Sequence, residues 1–413
     1  MAIIKPFKCV RPREDVVSKV AALPYDVYNR EEALEEVLRE PLSFLKIDRA
    51  ETQFDKDFNP YDKKVYEKAR DILQEMIQDG ILLKDENEVY YIYELTMNGR
   101  SQTGIVGCAS IDDYLNDVIK KHEKTREDKE IDRINHVDIC NAQTGPIFLA
   151  YRAQEIINEV VNKIKKENSI YDFIAPDGVK HAIWKINKKE DIETVAKAFG
   201  NIDSIYIADG HHRTASAVKV GIKRREENPN YAGDEEFNFF LSVLFPHDQL
   251  MILDYNRVVR DINGYTTEEF LAQISKKFKV EEVGAEIYKP TEKATFGMYL
   301  ENSWYKLTAN SELISSDPVE GLDVAILENN LLRPILGIKD IRTDKRIDFV
   351  GGIRGLKELE KRVNSGEMKV AFSMYPTSIT ELFNVSDANK LMPPKSTWFE
   401  PKLRSGIFIH ELK

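Results

Sequence analysis

The segment Ser204-Ile205-Tyr206-Ile207-Ala208-Asp209-Gly210-His211-His212-Arg213-Thr214-Ala215-Ser216-Ala217 restricts the fold more than any other part of this chain. An apolar stretch suited to a strand runs through Asp-Gly straight into a stretch of small residues suited to a helix. Such a unit needs a sheet behind it, and Ala215 and Ala217 let the helix lie close against that sheet. The first amides of a helix have no partners within it, and its dipole end is positive. A phosphate docked there collects several hydrogen bonds without any special side chain. Gly210 permits close backbone approach, and Arg213 offers a planar fork for phosphate oxygens, with Thr214 beside it. A plainer reading also stands: Asp209 caps the helix, the histidines are half-exposed and Arg213 pairs with a carboxylate. His211 and His212 lie about 100° apart on a helix, so separate roles suit them better than one shared metal ion.

At 413 residues the chain exceeds one ordinary core, and two or three domains are expected. Tyr90–Leu95, Asn98-Gly99 and Thr103–Gly107 read as a β-hairpin. Pro146–Tyr151 reads as a buried strand, and Ile156, Ile157, Val160, Val161 and Ile164 share one helical face. Asp177-Gly178 is a second hairpin turn, and Asp191 is expected to cap a helix that stops at Gly200. Phe237–Phe245 and Leu250–Val259 read as an antiparallel pair. Thr266-Thr267-Glu268-Glu269 then opens a helix with cap chemistry. The mixture of hairpins and isolated helices predicts an α+β fold with a mixed sheet, not a doubly wound one. The expected domains are residues 1–260 and a C-terminal α/β region, 261–413, that returns to the active site.

No apolar run approaches the roughly 20 residues that span a bilayer, and the N-terminal apolar stretch is too short for a secretory signal. Three unpaired cysteines, Cys9, Cys108 and Cys140, argue against a disulfide framework and favour a reducing, cytoplasmic setting. Acidic residues outnumber basic ones by 70 to 59, giving a net charge of −11. That balance disfavours nucleic acid as a partner and leaves small anionic ligands open.

Three further segments hold candidate chemistry. Asp26, in the turn Pro24-Tyr25-Asp26, is either a turn residue or a contact to substrate or magnesium. Pro393-Pro394 stiffens the chain before Lys395-Ser396-Thr397, one cation and two hydroxyls suited to an oxyanion, and Lys402, Arg404 and Ser405-Gly406 follow. Gly351-Gly352-Ile353-Arg354-Gly355 is a possible anion nest, although no dinucleotide fingerprint or Walker A sequence occurs.

The Asp209–Arg213 turn resembles the box of the ParB/sulfiredoxin superfamily, which includes nucleotide-hydrolysing partition proteins, sulfiredoxin and free-serine kinases. That resemblance covers about residues 90–260. Leu23–Val27, His122-Glu123-Lys124-Thr125, Pro146–Leu149 and Met392–Lys402 resemble a narrower family, domain of unknown function 1015, over nearly the whole chain. The wider resemblance implies ATP or ADP with Mg²⁺ and phosphoryl transfer to a small hydroxyl-bearing metabolite. Members of the narrower family lie beside serine-biosynthesis genes, which makes serine or phosphoserine the preferred metabolite. The wider resemblance also implies a glutamate upstream of the box as general base; Glu123 is the nearest candidate, in a charged loop where a plain surface role is as good a reading. Histidines stand where sulfiredoxin has cysteine, which removes sulfinic-acid reduction. The resulting candidates are Glu123, Asp209, His211 and His212 for catalysis and Gly210, Arg213, Thr214, Lys395, Ser396 and Thr397 for phosphate. Asp26, His122 and Arg404 are the candidates for substrate. A nucleotide-hydrolysing switch and a metal-dependent hydrolase or nuclease are the alternatives.

Overall fold

A computed structural model describes all residues, 1–413. The chain divides into two compact units, residues 1–250 with 401–413, and residues 251–400. The division therefore lies about ten residues before position 260, and the last thirteen residues belong to the first unit. The second unit begins early because Tyr255–Val259 is an interior strand of its sheet.

The first unit is built on a nine-stranded sheet: β1 (Ile4–Lys5), β2 (Tyr90–Met97), β3 (Arg100–Ser110), β4 (Ile119–Lys120), β5 (Ile147–Tyr151), β6 (Tyr171–Ile174), β7 (Lys180–Ile186), β8 (Ile205–Asp209) and β9 (Phe239–Pro246). Its order is β4-β8-β5-β9-β3-β2-β7-β6, with β1 on β3 beyond the end of β2. The sheet is mixed: β4 runs parallel to β8 and β5 to β9, and the remaining neighbours are antiparallel. The β2–β3 hairpin turns on Asn98 (φ 52) and Gly99 (φ 77), the paired positive φ angles of a twist-matched two-residue turn.

The unit's helices include α1 (Lys63–Gln78), α2 (Glu127–Cys140), α3 (Glu155–Ile164), α4 (Lys189–Gly200) and α5 (His211–Glu227), beside others such as Val17–Val20 and Arg30–Arg39. One core fills the space over the sheet, with Ile92, Leu149, Ile157, Phe199, Ile207 and Leu244 in it; a second lies among α1, the N-terminal turns and Ile409. Helix α5 packs closely enough that a Cβ on Gly221 would stand 2.5 Å from the Phe237 carbonyl oxygen.

Two sequence expectations are corrected here. Phe239–Pro246 does not pair with the strand that follows it; its partners are β3 and β5, while Tyr255–Val259 pairs with Ile347–Gly351 and Val370–Ser373. Asp191 does not cap α4, whose N-cap is Lys188; it lies inside the first turn, buried, and binds Lys163 at 2.7 Å. The carboxylate gains more from that ion pair across to α3 than from its own helix amides.

The second unit has a six-stranded sheet in which every pairing is antiparallel, so the C-terminal α/β region is α+β in detail. Thr266 and Glu269 form the reciprocal cap foreseen at the start of Thr267–Ile274. The Gly351–Gly355 turn is not an anion nest. The Gly352 amide is taken by the Asp254 carbonyl at 2.7 Å, and a Cβ there would stand 2.7 Å from the Asp254 carboxylate, which would repel an anion.

Candidate functional site

Strand β8 ends at Asp209, and Gly210 turns the chain at φ 95 as the N-cap of α5. No side chain caps that helix, so Asp209 is not its cap. The Thr214 amide and hydroxyl both donate to the Gly210 carbonyl, at 2.9 and 3.0 Å, which fixes the turn from within. The left-handed glycine matters here, because a Cβ would meet the Arg213 guanidinium at 3.1 Å.

Arg213 folds back over this turn. Its Nη1 donates to the Pro146 carbonyl at 2.7 Å and its Nη2 lies 3.8 Å from the Asp209 carboxylate. From the C-terminal segment, Lys402 Nζ reaches the same carboxylate at 3.4 Å. Burial raises the Asp209 carboxyl, but Lys402 and Arg213 outweigh it and hold the group well below the usual carboxylate range. Two cations thus converge on an uncapped helix N-terminus at the end of a strand, and Asp209 stays ionised between them.

The loop after β4 lies over the two histidines. The His122 amide points at His211 Nε2 across 3.5 Å, and the Arg126 amide at His212 Nδ1 across 3.4 Å. These long contacts put the His211 proton on Nδ1, which stands 3.9 Å from the Glu123 carboxylate. The His122 and His211 rings meet edge-on, with centroids 4.5 Å apart. His122 is 2% exposed; its ring hydrogen-bonds the Ile207 carbonyl, and its Nδ1 has no partner. Burial pushes His122 down to about 4 and His211 well below its ordinary value, with His122 adding to the latter; burial also lowers His212. The cluster is therefore neutral near pH 7, with His211 set between the Glu123 carboxylate and the Gly210 turn.

Asp26 is exposed in the turn Tyr25–Val27, close enough for its charge to act on His212. The neighbouring Tyr25 ring lies under the Arg133 guanidinium at 4.1 Å. Tyr25, Asp48, Arg133, Arg213 and Ser405 line a cavity of about 30 Å³, space for a water rather than a metabolite. Arg404 turns away from this cavity. Its Nε donates to His181 Nε2 at 3.3 Å and its Nη2 to the Asp177 carboxylate.

Lys395, Ser396 and Thr397 belong to the second unit. There Lys395, at φ 60, gives its carbonyl to Arg257 at 3.1 Å, and Ser396 donates to the Pro393 carbonyl at 2.6 Å. The structure thus gathers Glu123, His122, Asp209, Gly210, His211, His212, Arg213 and Thr214, with Asp26 nearby. Lys402 and Pro146 join them without having been candidates. The one signal for Lys402 was its place in the proline-stiffened tail, two residues before Arg404 on an extended segment.

No group of three or more His, Cys, Asp or Glu side chains forms a cation cage. Mg²⁺ held by one carboxylate and phosphate oxygens needs no such cage, and Asp209 fits that donor set.

No curated protein matches the chain. Among solved structures, free serine kinase in complex with AMP is 15% identical over 74% of this chain and 91% of its own, with a TM-score of 0.36. A free serine kinase mutant in complex with ADP is 15% identical over 74% and 92%, with a TM-score of 0.35. A conserved hypothetical protein from Pyrococcus furiosus is 16% identical over 74% and 94%, with a TM-score of 0.36. All three are loose likenesses. The pattern of the family described as protein of unknown function (DUF1015) matches residues 4–325, most of the chain, and the protein belongs to that family.

Proposed function

We propose that the protein is a nucleotide-dependent phosphotransferase acting on a small hydroxyl-bearing metabolite, serine or phosphoserine by preference. In this reading about residues 90–260 form a ParB/sulfiredoxin-like core around the phosphate turn. The observation that carries it is the convergence of Arg213 and Lys402 on the uncapped N-terminus of α5. Phosphoryl transfer is mostly positioning and charge neutralisation, and these groups supply both. A bound nucleotide with Mg²⁺ supplies the phosphoryl group. The Gly210 turn and the first α5 amides hold phosphate oxygens, while Arg213 and Lys402 neutralise them. Glu123, steadied by the His211 Nδ1–H, accepts the proton of the attacking hydroxyl, and the buried His122 ring holds the His211 ring edge-on for that role. The Lys395-Ser396-Thr397 turn is proposed as a further phosphate-binding segment.

Calorimetric titration with ADP and ATP in Mg²⁺ tests the reading. Arg213→Ala should weaken binding by about 1.5–3 kcal/mol, roughly 10- to 100-fold, through the lost charge-assisted bonds. Unchanged affinity in a folded variant would take the turn out of the phosphate site. Asp209→Asn should bind nucleotide yet lose turnover by about tenfold or more, since the ionised group is what orients Lys402 and Arg213. Full turnover would reduce Asp209 to a structural residue. Duplex DNA should bind weakly and only at low salt, given the net charge of −11. Tight binding at physiological salt with a steep salt slope would favour a partition-type switch instead.

A further inference from the structure

Apart from the Gly210 turn, the first unit has a cleft of about 230 Å³ between the Val17–Val20 helix, the Arg30–Arg39 helix and the Asp177 turn. Its floor is Arg404, 4% exposed, which uses Nε on His181 and Nη2 on Asp177 while Nη1 makes no hydrogen bond. A guanidinium has five N–H donors in a fixed fork, and the Nη1 edge that the protein does not use is left to water or a ligand in the cleft. Three cations, Lys19, Arg39 and Arg404, and three carboxylates, Glu36, Glu40 and Asp177, line the cleft. Arg39 pairs with Glu36 at 2.6 Å, and Arg404 with Asp177. Lys19 forms no ion pair, and Glu40 uses Oε1 on the Leu42 amide at 3.1 Å.

With charges balanced, the cleft attracts neither a dianion nor a dication. A phosphate on Arg404 would face three carboxylates, and an isolated amine would face three cations. A molecule carrying one carboxylate and one ammonium meets both unpaired groups and the open Arg404 edge at once. We propose that this cleft is a second ligand site, separate from the phosphate turn, that takes a small zwitterion. The carboxylate lies on Arg404 Nη1 and Lys19, and the ammonium on Glu40. Its wall is shared with the proposed catalytic site. Ala22, which lines the cleft, exchanges backbone hydrogen bonds with Ser405, which lines the Arg213 cavity, at 3.2 and 2.9 Å. Occupancy of the cleft therefore bears on the segment that carries Lys402, as a regulatory ligand would.

The site stands or falls without the phosphotransferase reading, because its test is a binding measurement. Glycine and β-alanine are titrated calorimetrically into the full chain, with acetate and methylammonium as single-charge probes. The zwitterions should bind saturably, at least about tenfold more tightly than either single-charge probe. Lys19→Met and Glu40→Gln, both on the rim and safe for folding, should each weaken them about fivefold or more. Arg213→Ala should leave them unchanged. No saturable binding, equal binding of acetate, or a loss confined to Arg213→Ala would overturn the proposal, the last by placing the zwitterion at the phosphate turn.

Discussion

Gly406→Ala is expected to destabilise the first unit by about 2–4 kcal/mol and to weaken the phosphate site with it. Gly406 has φ +81, and an added Cβ would stand 2.4 to 2.6 Å from the ring and Cβ of Phe44, a side chain with no exposure. The left-handed backbone costs an alanine about 1 kcal/mol, and overpacking a filled core costs typically 1–3 kcal/mol more. The residue also sits where the tail is stitched down: its amide donates to the Thr144 carbonyl at 3.2 Å, next to the Ala22–Ser405 bridge. Relief of the clash must lift this segment, and Lys402 is four residues upstream on it. Gly178→Ala is the control. It has φ +80 and nothing within 4 Å of the added Cβ, so it should cost only the backbone part. Urea unfolding of both variants, with ADP affinity measured alongside, checks this. Equal costs for the two would mean that Phe44 yields freely and the tail is not a clamp.

The contrast between tail and turn explains what was legible in the sequence. Asn98-Gly99, the strand–Asp-Gly–helix junction and the Thr266–Glu269 cap are specified within a few residues, and each appears where its local chemistry put it. Pairing between strands carries no such local mark. Phe239–Pro246 is apolar at every position but Ser242, which tells of burial on both faces and nothing of its neighbours β3 and β5, about 90 to 140 residues upstream in sequence. A hairpin to the next apolar stretch was the simplest local guess, and long-range pairing overrode it. The same limit governs the site. The histidines, Asp209 and Arg213 are contiguous and could be read together. Lys402 meets Asp209 across 193 residues, so its charge was visible in the tail but its partner was not. Arg404 looked like a site residue for the same reason, and its partners His181 and Asp177 lie on a hairpin that gave no sign of needing them.

Lowering the pH from 8 to 5 should cost the first unit about 4 kcal/mol through His122 and His181 together, and the buried His211, also held down, adds to the loss. Burial holds His122 down to about 4 and His181, with Arg404 adding to the effect, down to about 3. Both side chains are 2% exposed or less, so water does not screen them. An unfolded histidine titrates near 6.5, so the folded state takes up the proton less readily. Each group's stabilisation is thus complete above pH 6.5 and drains away as the pH falls toward the folded value. Linkage puts the loss at about 2 kcal/mol for each at pH 5. The structural causes differ. A proton on His122 Nδ1 would be a buried donor with no acceptor. A proton on His181 Nε2 would face the Arg404 Nε–H that now donates to it, while Nδ1 already faces the Tyr93 hydroxyl at 2.7 Å. Most carboxylates stay ionised at pH 5, so their ion pairs contribute little in this window. All three cysteines are buried in the first unit, so urea titrations read by a pyridyl disulfide that reacts at acid pH report on that unit alone. His181→Gln can keep both hydrogen bonds without titrating, and should recover about 2 kcal/mol of the acid loss. Superimposable titrations at pH 8 and 5, or a His181→Gln protein as acid-labile as the parent, would show that these histidines admit protons without cost.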